Sequence, residues 1–291
     1  PSVGAGNLLG DLINSKVVPV IALKQIFRQA QESCIITNAH KIINGEYPEL
    51  TKKDADFFFF QRLASDKVTS LLLELVKDRL PSAYGFSPTD NIQVITPSRK
   101  GVLGVVELNK MLQNVLNPQK RGVAEVRSML YTFREGDKIM QMKNNYDIEW
   151  HKDDEEGTGI FNGDIGKILS INNHSGEAVV EFDMRRVVYP FDMLDQLELA
   201  YAITVHKSQG SEFDAVIMPI LDGFPKLYYR NLLYTAVTRA KKLLIVIGSQ
   251  KKIYDMVDNN RRTKRYTCLR HMLSGDGDNN EQTSNVQSVL P

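Results

Sequence analysis

Two rhythms of apolar and polar positions divide the chain. Short runs of branched or aromatic residues bounded by turn formers, at 56–60, 92–96, 215–220 and 243–247, predict buried strands. Between them apolar residues return at helical spacing. In 33–50 they are Ile35, Ile36, Ala39, Ile42 and Ile43, with Gly45 as the stop. Further helices are predicted over 66–80, ended by Pro81, over 102–116, closed by Pro118, and over 250–260. Residues 17–31 read as a short strand and a turn carrying Gln25 and Arg28. Strands interleaved with helices in this way predict an α/β fold.

The rhythm changes after a short strand at 138–142. The stretch EWHKDDEEGTGIFNGDIGKI is acidic and glycine-rich, and its run at 153–156 reads as a solvated loop. The segments ILSINN, AVVEF and RRVVYPF then follow one another, with turns at Asn173-His174-Ser175-Gly176 and around Asp183. Short strands at this spacing predict a small antiparallel barrel. From Ser274 onward there is almost nothing to bury, which predicts a disordered tail over 274–291.

Composition narrows the class only a little. The 291 residues hold 36 basic and 35 acidic side chains, a net charge of +1, so any affinity for a polyanion has to come from a local patch. No apolar run approaches the roughly 20 residues of a spanning helix, so no membrane partner is expected. Cys34 and Cys268 are far apart and lack metal-ligand spacing; they read as reduced thiols of a cytoplasmic protein, and no metal site is expected. His40, with no partner at ligand spacing, reads as a helix-surface residue.

Candidate chemistry gathers in three places. Residues 199–214, LAYAITVHKSQGSEFD, open with a helix-permissive apolar run and end in Thr204, His206, Lys207, Ser208, Gln209, Ser211 and Glu212 around Gly210. An apolar strand follows at once, so the polar cluster falls on a turn between buried elements, where binding residues concentrate. Residues 232–248, LLYTAVTRAKKLLIVIG, put Arg239, Lys241 and Lys242 on the turn or helix end that feeds the next strand, within reach of a phosphate. At 97–101 a basic turn with Ser98, Arg99 and Lys100 joins a strand to a helix N-terminus, which suits an anion. An ordinary βα turn with solvated charges explains this last pattern equally well.

TVHKSQGSEFD followed by LLYTAVTRAKKLLIVIG resembles motifs V and VI of superfamily 1 DNA helicases in their RecD-like form. The resemblance implies a RecA-like, P-loop NTPase-type motor domain with a parallel sheet (2A) over 1–147 and 197–273. An all-β SH3-like barrel (2B) would be inserted at 148–196. Residues 1–14 resemble the segment that follows motif III, and no G-x-x-x-x-G-K-[ST] loop occurs in the 291 residues. The chain alone is therefore expected not to hydrolyse ATP, whose Mg2+ complex a preceding motor domain would hold.

By the same resemblance IFRQA is motif IV, which makes Arg28 and Arg239 the arginines aimed at the γ-phosphate, with Gln25, Gly210 and Glu212 near the nucleotide. Thr96, Ser98, Arg99, Thr204, His206, Lys207 and Ser208 would contact DNA. The implied protein is an ATP-dependent helicase that translocates on single-stranded DNA, 5′ to 3′, and unwinds duplex junctions in DNA repair or recombination, alone or with other repair subunits. Two rivals share these residues: a non-catalytic module that binds single strands or a partner, and a subunit of an exonuclease V-type complex. Peptide binding through Tyr146, Trp150, Phe161, Tyr189 and Phe191 of the barrel is a weaker alternative, because no acidic-aromatic groove pattern accompanies them.

Overall fold

Residues 7–21, 33–52, 56–221, 223, 225–260 and 267–274 are described by the computed structural model. Contacts divide the chain into two units, one of residues 28–260 and one of 1–27 with 261–291. In the smaller unit α1 (Leu8–Ser15) packs against a C-terminal helix, Leu269–Ser274. Of the expected tail, 274–291, Ser274 ends this helix and 275–291 lie outside the described residues, as do Gln25 and Arg28.

The larger unit begins with α2 (Cys34–Asn44), capped by the Ser33 hydroxyl and stopped at Gly45, whose φ of +85° favours glycine. β1 (Phe57–Gln61) follows. α3 (Ser65–Glu74) passes through a π-helical turn, Leu75–Arg79, into α4 (Leu80–Tyr84). Pro81 therefore lies inside a continuous helix rather than ending it. The wider i→i+5 turn just before it is where a residue without an N–H is accommodated. β2 (Ile92–Thr96) leads through a turn to α5 (Val105–Leu116), and a hairpin of β3 (Glu125–Arg127) and β4 (Thr132–Arg134) comes next.

The region of alternating polarity then forms β5 (Lys138–Gln141), β6 (Asn145–Lys152), β7 (Glu155–Ile160), β8 (Ile165–Asn172), β9 (Glu177–Phe182), β10 (Arg185–Pro190) and β11 (Leu197–Leu199). These make one antiparallel sheet in the order β11-β5-β8-β9-β10-β6-β7 around Phe182, Tyr189, Ile139, Ile160 and Ile168. The sheet extends past 148–196 on both sides, because β5 and β11 pair with each other and β5 with β8. Residues 153–156, expected as a loop, are the tight turn and first residues of the β6–β7 hairpin, with Asp153 at φ +51°.

β12 (Ala202–Thr204), β13 (Phe213–Ile220), α6 (Arg230–Val237), β14 (Ala240–Gly248) and α7 (Gln250–Asp258) complete the unit; Leu269–Ser274 is then α8. The second sheet is wholly parallel, in the order β1-β14-β13-β2-β12. Successive strand residues point to opposite faces, so Ile92, Val94, Ile217 and Ile245 pack with α3 and α5, while Ile95, Val216, Met218 and Leu244 pack with α2, α6 and α7. Coverage on both faces explains why these strands read as unbroken apolar runs. Among the described residues no helix is long and apolar enough to cross a membrane.

The run 199–203, read as helix-permissive, is instead the crossing from one sheet to the other. Leu199 ends β11, Ala202 begins β12, and Ala200 and Tyr201 lie between. Two amides, Gln93 and Asn109, both 0% exposed, satisfy the backbone here. Gln93 donates to the Ala200 and Tyr201 carbonyls, while Asn109 donates to those of Leu199 and Ala202 and accepts from the Ala202 N–H. Tertiary pairing outweighs local propensity at these five residues.

Beside the crossing lie two buried ionisable groups. Asp137 accepts from Gln113 Nε2 (2.6 Å), Asn117 Nδ2 (2.8 Å), the Arg134 N–H (2.7 Å) and Tyr201 Oη (2.9 Å). Burial nevertheless holds its pKa above the usual carboxylate value. Lys138 is 6% exposed, and its ammonium donates to the Ile92 carbonyl at 3.3 Å. Burial lowers its pKa from 10.5 to about 8.

The unfolded chain then binds the Lys138 proton more tightly than the native one. Stability should rise with pH between about 8 and 10.5, by roughly 3 kcal/mol over the full interval. Lys138→Met is expected to stabilise the protein at pH 7 and to flatten that rise. Urea midpoints measured from pH 7 to pH 10 check this; an equal slope in the two proteins would contradict it.

Candidate functional site

Strand register spreads the candidate residues along the parallel sheet. Thr204 is level with Thr96, and Val94 with Ile217, so Thr204 stands at the level of Pro219, six residues beyond Phe213 on β13. The polar turn 205–212 therefore spans roughly 20 Å, from the carboxyl ends of β12 and β2 to the amino end of β13. One group of candidates gathers at each end.

At the amino end, α6 stops at Val237 and Arg239 turns the chain into β14, where Phe213 of β13 donates to the Arg239 carbonyl. The Arg239 guanidinium lies across this junction. Nη1 donates to the Ser211 carbonyl (2.9 Å), Nε to the Thr235 carbonyl (3.1 Å) and Nη2 to Thr238 Oγ1 (3.1 Å). No described carboxylate pairs with it, and each terminal nitrogen retains one hydrogen for an incoming anion. Gly210, at φ +89°, gives the turn a backbone conformation that side chains resist. Glu212 is exposed and faces Lys241 at 3.6 Å, while Lys242 pairs with Asp214 at 3.2 Å. These two lysines are thus balanced by neighbouring carboxylates, and among the described residues Arg239 is the cation left for a phosphate at this end.

At the carboxyl end, two residues expected to face a ligand turn inward. Thr96 is 1% exposed and its hydroxyl donates to the Leu103 carbonyl (2.7 Å); Ser208 is 0% exposed and donates to the Val205 carbonyl (2.8 Å). Both shape turns rather than presenting surface donors. The N-terminus of α5 is also occupied, since the Val105 and Val106 N–H groups donate to the Ser98 and Arg99 carbonyls. An anion at the 97–104 turn would have to be held by side chains.

Four groups remain at the surface. Ser98 Oγ caps its own turn through the Lys100 carbonyl. His206 is exposed, with Nε2 3.5 Å from Tyr229 Oη. Lys207 donates to Asn162 Oδ1 of the β domain at 2.6 Å, and partial burial lowers its pKa. Arg99 forms a two-pronged ion pair with Glu198 of β11, with Nη1 2.9 Å from Oε2. Thr204 Oγ1 accepts from the Lys207 N–H and orders the turn. Motif reading did not single out Glu198 or Asn162, and it placed Ser211 in the polar cluster without a role for its carbonyl. Glu198 was visible only as an acid flanked by two leucines, and Ser211 acts through its carbonyl, which sequence does not distinguish.

A parallel sheet with helices on both faces, joined to a small SH3-like β domain, defines an α/β motor domain of the RecA-like class. Residues 108–182 match the ATP-dependent RecD-like DNA helicase SH3 domain, and residues 199–247 the UvrD-like helicase C-terminal domain. The chain is 32% identical over 269 residues to the ATP-dependent RecD2 DNA helicase of Deinococcus radiodurans, covering 92% of this chain and 34% of that protein. It is 36% identical over 127 residues to the RecBCD enzyme subunit RecD of Mycobacterium tuberculosis, covering 42% and 20%. Similar solved structures include Pif1 helicase from Candida albicans (15% identity, TM-score 0.45, 80% of this chain and 57% of that one). Pif1 from Bacteroides in complex with ADP-AlF3 and single-stranded DNA is another (20% identity, TM-score 0.42, 78% and 51%).

The chain is RecD-like: it carries the SH3 domain of RecD-like helicases and a UvrD-like helicase C-terminal domain. It spans 34% of the length of its Deinococcus relative and about half that of the Pif1 structures.

Proposed function

We propose that the chain is the second motor half of an ATP-dependent DNA helicase, coupling hydrolysis to movement along single-stranded DNA and to duplex unwinding. The observation that carries this reading is the Arg239–Ser211 hydrogen bond, which ties the arginine that would meet a γ-phosphate to the turn that runs to the DNA-facing end. A planar fork with two hydrogens to spare suits a phosphoryl oxygen pair. ATP and Mg2+ would be held mainly by a preceding domain, with Arg28 and Arg239 supplied across the cleft and Gln25, Gly210 and Glu212 near the nucleotide. In the domain assignment we favour, motor 2A is the parallel sheet with its helices, and β domain 2B runs from β5 to β11, wider than the expected 148–196. The relatives named as RecBCD subunits support a setting in recombination or repair with other subunits.

At the other end His206, Lys207, Ser98 and Arg99 would meet DNA phosphates, Arg99 by exchanging Glu198 for the phosphate. Such contacts confer affinity without reading sequence. Lys207→Ala is expected to weaken binding alike for all single-stranded sequences and to reduce the salt slope by about one unit. Unchanged affinity at low salt in both Lys207→Ala and His206→Ala would remove these residues from the track.

DNA-stimulated ATP hydrolysis tests the whole reading. It should be absent from the 291-residue chain and present in a form extended upstream of Pro1. Absence from both would leave a strand-binding module as the better description.

A further inference from the structure

Strand order gives the parallel sheet a switch point. β2 connects outward through α5 and the β domain to β12 on one side, whereas β13 connects through α6 to β14 on the other. The chain therefore leaves adjacent strands in opposite directions and opens a crevice beyond their carboxyl ends, the place where α/β sheets bind ligands. A groove of about 660 Å3 occurs there, within the roughly 300–1,000 Å3 of small-ligand sites.

The two walls of the groove come from the two diverging connections. On the β2 side, the Thr96 hydroxyl bonds the Leu103 carbonyl and folds the 97–104 turn back over the strand end, bringing Val102 and Leu103 to the groove. On the β13 side stand Pro219, Leu221, Leu227 and Tyr228. Tyr228 is anchored by Asn259 Nδ2 on its carbonyl (2.7 Å), and the Lys252 ammonium lies 5.7 Å from its ring centroid. The rim is basic, with Arg99 and Lys100. Arg99 is tied to Glu198, while the Lys100 ammonium meets no carboxylate among the described residues.

Apolar walls, one of them aromatic, beneath a cationic lip match a ligand that is flat and apolar on its faces and anionic at one end. We propose that this groove receives one nucleotide unit of the single strand, its base against Leu221 and Tyr228 and its phosphate at Lys100. The inference rests on the single-strand reading above and adds a base contact to a track otherwise made of phosphate contacts.

The test compares oligodeoxythymidylate with an abasic deoxyribose-phosphate strand of equal length, titrated into the 291-residue chain. The base-containing strand should bind about tenfold tighter, the scale of one stacked base. Tyr228→Ala and, as a second variant less able to disturb the fold, Leu221→Ala should each remove most of that difference and leave abasic affinity unchanged. Lys100→Gln should weaken both strands equally and lower the salt slope by about one. Equal binding of the two strands by the parent chain would overturn the base site while leaving the phosphate track standing, as would an equal loss for both strands in Leu221→Ala and Tyr228→Ala. Failure of both strands to bind would overturn the single-strand reading itself.

Discussion

Replacing Arg239 with alanine is expected to lower DNA-stimulated ATP hydrolysis by the form extended upstream of Pro1 roughly 10³-fold or more, the scale on which arginines delivered across a cleft act in phosphoryl transfer. Arg239 makes hydrogen bonds to two carbonyls and one hydroxyl, so its loss should also cost some stability, about 1–2 kcal/mol. The two effects separate in a paired measurement of steady-state hydrolysis and urea unfolding. Arg239→Lys should restore little of the rate, since a single ammonium cannot hold the Ser211 carbonyl and a phosphate in one planar fork. A rate within a few-fold of the parent in Arg239→Ala would remove this residue from the nucleotide site.

The second large effect is on stability, at Asp137. Its carboxylate accepts four hydrogen bonds, from Gln113, Asn117, Arg134 and Tyr201. Asp137→Ala leaves these donors without their acceptor in a buried site, at a cost of roughly 3–5 kcal/mol. Asp137→Asn should cost less, because it keeps one acceptor oxygen and carries no charge to bury. Burial raises the Asp137 pKa, so the native state holds this proton more tightly than the unfolded chain. The contribution from Asp137 is thus greatest in acid, below the unfolded pKa, and falls as pH rises through the native one. Urea midpoints for the three proteins check both points; equal midpoints for Asp137→Ala and the parent would show the network to be dispensable.

Much of this architecture was legible because its strands are covered on both faces and its helices on one, which the apolar spacing records directly. β2, β13 and β14 follow from their branched runs, and α2 from its stripe and Gly45. Elements fixed by distant partners were not legible. Residues 199–203 carry no local preference strong enough to resist pairing with β5 and β2, and the amides that settle them come from positions 93 and 109. Pro81 read as a stop because the π-helical turn that accommodates it leaves no signature in composition.

The candidate site divides in the same way. Motif spacing located the turns that hold Arg239, Gly210 and Lys207. Spacing carries no information about which way a hydroxyl points, so Thr96 and Ser208 looked like surface donors although they face inward. The pairs Arg99–Glu198 and Lys207–Asn162 join residues 99 and 45 positions apart, and only the return of the chain through the β domain brings them together.

That return has a mechanical consequence. Only Ala200 and Tyr201 separate the last strand of the β domain from β12, and both are buried beneath bonded amides. There is no slack in such a joint. The β domain is fastened to the parallel sheet rather than tethered to it, by this two-residue crossing and by the Arg99–Glu198 and Lys207–Asn162 pairs.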